Sequence, residues 1–183
     1  MHPGYVVEAA TAADRAAAQS LAEQAFGPGH GLDVAPDERL LVARAEGRVV
    51  GFADGTPLGD LAAGFPDHAA LLRSRLGGAA KGLGLVRSIA VARPWRGRGV
   101  ARSLLHALVE RLRADGCNCL LARAWVHPDG RVPASALLQR AGFTALLRVP
   151  EFWRAAQGRD GFGCSACDPN PCRCAAVIYA AGC

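Results

Sequence analysis

Two rhythms of apolar residues alternate along the chain, and the points where one gives way to the other mark its elements. Tyr5–Ala9 reads as a first strand. Thr11 then stands where a helix needs a cap, with Asp14 three residues on as a shortened capping box. In the segment that follows, Ala17, Leu21 and Ala25 repeat every four residues beside Ala18, Ala22 and Phe26, the stripe of a helix packed on one side. Gly27-Pro28-Gly29 stops it, and the residues from there to Glu38 are loop. Arg39–Ala45 and Val49–Gly55 have strand character and are joined by Glu46-Gly47-Arg48, a hairpin signal. Residues 56–83 are punctuated by Gly, Pro and Ala and form an insertion of unassigned role, with a helix near Asp67–Leu76.

The strand rhythm returns at Gly84–Val91. Val100–Ala114 is a helix with Val100, Leu104, Leu108 and Leu112 along one stripe, ended by Gly116. Asn118–Trp125 is a strand, and Pro133–Ala141 is a short helix with Pro early and Gly142 at its end. Phe143–Val149 and Ala175–Tyr179 are the last two strands. The order β-α-β-β-β-α-β-α-β-β predicts an α/β fold, a mixed sheet flanked by helices. The length, 183 residues, suits one domain over 1–183 with a buried core, and no internal repeat divides it.

Composition narrows the class. At 51% hydrophobic the chain is expected to pack rather than stay disordered. No apolar run approaches the ~20 residues of a bilayer span, and the start MHPGYVVEAA lacks the pattern of a secretory signal. A cytoplasmic protein is therefore expected, with no membrane partner. The net charge of +5 favours anionic ligands without naming one.

The chemistry concentrates at "SIAVARPWRGRGVARSLL", residues 88–105. A strand that runs through a glycine turn into a helix presents backbone N–H groups with no intrahelical acceptor, reinforced by the helix dipole. Phosphate oxygens are natural ligands there. Glycine permits close approach, and Arg93, Arg96, Arg98 and Arg102 add charge-assisted bonds. A Walker loop is excluded because its Lys-Ser/Thr pair is missing. A dinucleotide fingerprint fits poorly, since Arg102 stands where close helix packing wants a small residue. The segment Arg96-Gly97-Arg98-Gly99-Val100-Ala101 instead matches R/Q-x-x-G-x-G/A, preceded by Ile89-x-Val91 and Pro94. It resembles the acetyl-CoA-binding motif of the GNAT N-acetyltransferase superfamily. Gly142-Phe143 after a short Ala/Leu helix is similar to that superfamily's second conserved region, and the element order agrees from about residue 5 to 149, with the last strand to about 180.

The resemblance implies a GNAT-like acyl-CoA N-acyltransferase fold and transfer of acetyl from acetyl-CoA to a primary amine by direct attack. It implies that the backbone at Ile89 and Val91 lines the pantetheine arm. The N–H groups of Arg96 through Ala101 (Arg96, Gly97, Arg98, Gly99, Val100 and Ala101) then hold the pyrophosphate. The thioester is implied to sit where this strand splays from Asn118–Trp125. Many superfamily members carry a tyrosine four residues before Gly-Phe, as the acid for the leaving thiolate; here that position is Leu138. The asparagine often found near the start of that helix is also missing, with Arg131 and Val132 in its place. Among the residues present, His127 after the splayed strand is a candidate proton relay. Tyr179 and Ser135 are further candidates. Arg87 and Ser88 occupy the fourth-strand positions where a carboxylate base would stand, and Asp54 is either an anchor for a cationic amine or a turn residue before Gly55.

The stretch "CSACDPNPCRC" places Cys164, Cys167, Cys172 and Cys174 as C-x-x-C, four residues, then C-x-C, across turn-forming Asp168-Pro169-Asn170-Pro171. Four thiolates so spaced can enclose one Zn²⁺ in a closed structural site within a loop over 162–175. Disulfides, a redox role and an iron–sulfur cluster are the alternatives, and Cys183 or a histidine can stand in for one ligand. Zinc would pin this loop before the last strand, where the superfamily often places a loop near the acceptor, with Phe152 and Trp153 as walls. Cys117 and Cys119 read as small buried apolar residues.

Three functions compete on this reading. The first is an acetyltransferase acting on a small amine, an amino acid, an antibiotic or a protein terminus. The second is a catalytically weak acetyl-CoA-binding module whose zinc loop contacts a protein partner. A nucleic-acid binder ranks last, because no basic stretch is interleaved with stacking aromatics. A homodimer is left open.

Overall fold

Thr11 closes the predicted capping box: the Asp14 carboxylate accepts from the Thr11 N–H at 2.9 Å and its hydroxyl at 2.8 Å. In the computed structural model, which describes residues 4–32, 39–77, 82–154, 163–167 and 171–183, that box opens a 3₁₀ turn leading into α1, Arg15–Phe26. Before it lies β1 (Val6–Ala9); after it come β2 (Leu40–Ala45) and β3 (Arg48–Leu58). The insertion supplies α2 (Leu61–Gly64) and α3 (Ala69–Arg75), and β4 (Leu83–Val91) follows. The remaining elements are α4 (Val100–Ala114), β5 (Cys119–Val126), α5 (Ser135–Arg140), β6 (Thr144–Val149) and β7 (Ala175–Ala181). Predicted loop residues 33–38, Lys81 and Asp168–Asn170 lie outside the described residues.

The strands form one seven-stranded sheet in the order β1-β2-β3-β4-β5-β7-β6. Its neighbours run antiparallel except β4 and β5, which are parallel and joined through α4. This is the predicted mixed α/β fold. Two departures from the predicted boundaries have one cause. β3 runs past Gly55 because Thr56 and Pro57 pair with Leu85 and Gly84, and β7 runs to Ala181 because Ala180 and Ala181 pair with β5. Cross-strand pairing overrides the turn signals of Gly and Pro.

α4 lays Val100, Leu104, Leu105, Leu108 and Leu112 on one face of the sheet, over Ala43, Ala53, Val86 and Leu120. The other face is divided. α1 packs Ala18 and Ala22 over Leu40, Val42, Phe52 and Ala90. α2 and α3 pack Leu61, Phe65 and Leu72 over Leu85, Leu121 and Ile178.

Candidate functional site

Two irregularities in β4 build the site. The first is a bulge: Asp54 of β3 faces Ser88, but the next residue, Gly55, faces Val86, so Arg87 is an extra residue on β4. Side-chain alternation slips by one there. Val86 and Ile89, three apart, both pack toward α4, while Ala90 joins the α1 side. The second is a divergence. β4 and β5 pair only through Leu83–Val86 and Cys119–Ala122. Beyond this both strands continue without pairing to each other, which opens a wedge between Arg87–Val91 and Arg123–Val126.

On the α4 side of the wedge lies the glycine turn. Val91 leads through Arg93–Trp95 to Gly97 and Gly99, both left-handed with φ of 75° and 84°. Neither glycine is demanded by packing. An added Cβ at Gly97 meets nothing within 4 Å, and at Gly99 only the Tyr5 hydroxyl at 3.6 Å. Their value lies in the backbone path they allow. Gly99 caps α4 without a side-chain acceptor, and no acidic residue stands in the helix's first turn. The positive end of α4 is thus left uncompensated, as an anion site requires. Val100 is buried in the core beneath it. The arginines divide their tasks. Arg96 turns its Nε back to the Val91 carbonyl at 3.0 Å, tying the turn to β4, and Arg98 lies 4.9 Å over the Trp95 ring. Ile89 is half-buried and Val91 buried, at the edge of the wedge.

Also on the α4 side, Tyr179 of β7 stands opposite Ala122, the last β5 residue paired with β4. Its hydroxyl donates to Ser135 Oγ at the start of α5, 3.0 Å away. Two of the sequence candidates are therefore one unit. Leu138, at the position of the expected acid, is 3% exposed and serves the core.

On the opposite side the wedge is floored by charge. Asp54, 3% exposed, is not a turn residue but a mid-strand one. One carboxylate oxygen accepts from Ser88 Oγ at 3.0 Å, and the other meets the Arg87 guanidinium at 2.8 Å. Burial raises its pKa above the usual carboxylate value, against the opposing pull of Arg87. Asp54 thereby clamps both residues of the bulge. Nearby, His127 stacks on Trp125 with centroids 5.0 Å apart, in the turn that follows β5. Trp125 also meets Phe26 at 6.2 Å and Trp153 at 6.4 Å.

The cysteines complete this side. The sulfurs of Cys164, Cys167, Cys172 and Cys174 all lie within 4.8 Å of one another. Cys174 is 3.7 Å from Cys164 and 3.5 Å from Cys167. A tetrahedral zinc with bonds of about 2.3 Å sets sulfurs about 3.8 Å apart, so the spacing fits. Burial raises the Cys172 thiol to about 11 and the Cys174 thiol further. Four thiolates could not be held here without a cation. Trp125 and Trp153 pack on the cluster, each with its indole N–H buried, and the Trp125 side chain faces Cys174. Trp153 thus belongs to the cysteine cluster, whereas Phe152 turns toward His68 at 5.8 Å.

One sequence reading is corrected. Cys119 is buried, but it is bonded to Cys183 in a disulfide linking the start of β5 to a position two residues past the end of β7. Cys183 is therefore not a substitute metal ligand. Cys117 is the buried free thiol expected, donating to the Leu83 carbonyl at 3.3 Å. The pairing spans 64 residues and left no local signal.

The model of the Acetyltransferase (GNAT) family matches residues 8–143, from β1 through the glycine turn to the Gly-Phe pair. The chain belongs to the GNAT acetyltransferase family. No protein of curated function matches it. Among solved structures it is similar to the ribosomal-protein-alanine N-acetyltransferase of Brucella melitensis, at 18% identity and a TM-score of 0.62, covering 96% of this chain and 98% of that one. It is likewise similar to a nourseothricin acetyltransferase, at 21% identity and 0.61, covering 98% and 99%. A third is the NatC complex bound to Gag peptide and CoA, at 12% identity and 0.64, covering 98% of each chain. These identities carry the GNAT fold rather than an acceptor. The matched residues include the glycine turn at the head of α4, whereas the cysteine cluster lies beyond them.

Proposed function

We propose that this GNAT protein is an acetyl-CoA-dependent N-acetyltransferase acting on a primary amine. The observation that carries the reading is the uncapped, glycine-led start of α4 beside the β4–β5 wedge. The N–H groups from Arg96 to Ala101 hold the pyrophosphate, and the backbone of Ile89 and Val91 guides the pantetheine arm into the wedge. The amine enters from the opposite side, past Trp125 and His127. A C–N bond forms at the acetyl carbon as the C–S bond breaks. The amine's proton leaves through His127, and the departing thiolate is protonated from Tyr179, backed by Ser135.

The four cysteines hold one structural zinc. An all-sulfur, closed donor set of this size suits zinc rather than magnesium or calcium. It supplies a fold clamp and leaves no open position for chemistry. Because burial holds Cys172 and Cys174 as thiols when no metal is bound, zinc uptake at neutral pH releases protons, and affinity falls as pH is lowered. A dye-monitored titration in weak buffer should acidify as zinc is added. A flat trace, or the same trace with Cys172→Ser/Cys174→Ser, would exclude the site.

Free thiol release from acetyl-CoA, followed with simple amines, amino acids, an aminoglycoside and a peptide with a free N-terminus, tests the transferase. At least one acceptor should raise the rate above hydrolysis. Tyr179→Phe should then lower kcat by about 100-fold with acetyl-CoA binding unchanged. His127→Ala should lower kcat with acetyl-CoA binding unchanged. A variant that turns over normally strikes that residue from the mechanism. The buried Leu138 supports a second reading, a weakly catalytic acetyl-CoA-binding module whose cysteine loop meets a protein partner. That module would bind acetyl-CoA and release no thiol with any amine.

A further inference from the structure

Gly27 is a close backbone contact without a local explanation. It caps α1 with φ of 118°, and a Cβ built there would stand 1.8 Å from the carbonyl oxygen of Gly163 and 2.9 Å from the Ser165 nitrogen. The cysteine loop is laid directly on the end of α1. Gly163 N–H donates to the Pro28 carbonyl at 2.8 Å, and Ser165 N–H to the Phe26 carbonyl at 3.3 Å. Cys164 lies between these two bonds. Phe26 itself packs on His30 at 4.5 Å and Trp125 at 6.2 Å, and Trp125 packs on Cys174 and its partners.

We infer that the cysteine centre is a latch that fastens the end of α1 to β5 and β7, with Gly27 as its keeper, so that metal occupancy positions the amine-side wall of the wedge. This rests on the reading of the cluster as a metal site. The latch has two fixed points at the sheet: Trp125 on β5, and Cys174 immediately before β7. The third point is the end of α1, held to the cysteine loop by backbone bonds that a side chain at residue 27 would displace, beside the Phe26–Trp125 contact. Metal drawn to the four sulfurs orders Cys164, and Cys164 carries its neighbours onto Phe26 and Pro28. Among the described residues the α4 side of the wedge shares none of these contacts, so the acetyl-CoA turn is indifferent to the metal. Gly27 is a positioning residue: it touches no reactant, and it acts through the loop laid on it.

The test uses cobalt(II) as the probe, read by its thiolate charge-transfer band, together with hydrogen exchange of the full chain. The wild type should bind one cobalt(II) with that band. Stripping the metal should speed exchange at Gly163, Ser165 and the last turn of α1 by about tenfold or more, the scale of two lost backbone hydrogen bonds. Leu104–Leu112 of α4 should not change. Gly27→Ala should weaken cobalt(II) binding by at least about tenfold, although residue 27 is no ligand. Gly31→Ala, whose Cβ meets nothing within 4 Å, should bind as the wild type does. If cobalt(II) gives no thiolate band with the wild type, the metal reading fails and the latch with it. If the band appears but exchange at α1 ignores the metal, the metal reading survives and the latch is overturned. The exchange comparison needs only the wild type, so misfolding of Gly27→Ala would not shield the proposal.

Discussion

Gly99→Val should abolish acetyl-CoA binding, raising Kd more than about 100-fold, while the protein stays folded. Two effects of the substitution differ in size. A β-branched residue at φ of 84° strains the backbone by about 1–2 kcal/mol. For a domain of this size that lowers Tm by roughly 5 °C. Sterically the fold has room, since the nearest neighbour to a Cβ is the Tyr5 hydroxyl at 3.6 Å. The chain can relieve strain by rotating the peptide before α4, and that rotation turns the N–H groups away from the pyrophosphate. The valine methyls also stand where an anion must approach. Binding therefore falls far more than stability does. Gly97→Ala, at φ of 75° and facing open space, should show the same split more weakly. Calorimetric titration paired with scanning calorimetry measures both sides. Equal losses in stability and affinity would mean the glycines serve the fold alone.

The second large effect is at Asp54. Asp54→Ala should cost about 3–5 kcal/mol, because it removes the buried carboxylate that pairs with the half-buried Arg87 guanidinium and bonds the Ser88 hydroxyl. The bulge that turns Ile89 toward α4 loses its clamp, so acetyl transfer should fall even where the protein remains folded. Asp54→Ala/Arg87→Met should recover most of the stability, since an apolar pair of similar volume suits a buried site. It should not recover the activity. The pH dependence has a definite sign. Asp54 is raised in the folded state, chiefly by burial. The unfolded chain therefore gives up this proton at lower pH than the folded one, and stability falls as pH rises from the ordinary carboxylate range to the folded value. Asp14 acts oppositely. Burial would raise it, but bonds from Thr11 and Arg44 prevail and lower it. Its contribution is present above the ordinary carboxylate pKa and lost as pH falls through the depressed one. Urea midpoints of Asp54→Asn across pH 3–7 should lack the Asp54 slope. An unchanged profile would refute the assignment.

Much of this was legible because local and tertiary signals agree. The Leu104, Leu108 and Leu112 stripe, the Thr11–Asp14 box and the Arg96–Ala101 turn are each short-range patterns, and the fold keeps all three. What escaped the sequence depends on pairing between distant segments. Asp54 beside Gly55 looks like a turn, yet β4 pairing draws β3 on to Leu58 and buries it. Its place on the face of Phe52, two residues earlier, was the available clue. Tyr179 and Ser135 are 44 residues apart and meet only when β7 inserts between β5 and β6. Gly27 reads as a helix stop, which it is, but nothing near it announces the Gly163 carbonyl. The four cysteines were legible as a cluster, since their spacing alone brings them within reach. Their packing on Trp125 was not.

The measurement that bears most directly on the central claim is calorimetric titration of the wild-type chain with acetyl-CoA, with NADH as control. Saturable one-site binding in the micromolar range, about 1–100 µM, is expected, with no heat from NADH. Absence of acetyl-CoA binding, or equal binding of NADH, would contradict the reading of the turn before α4 and with it the assignment of acetyl transfer.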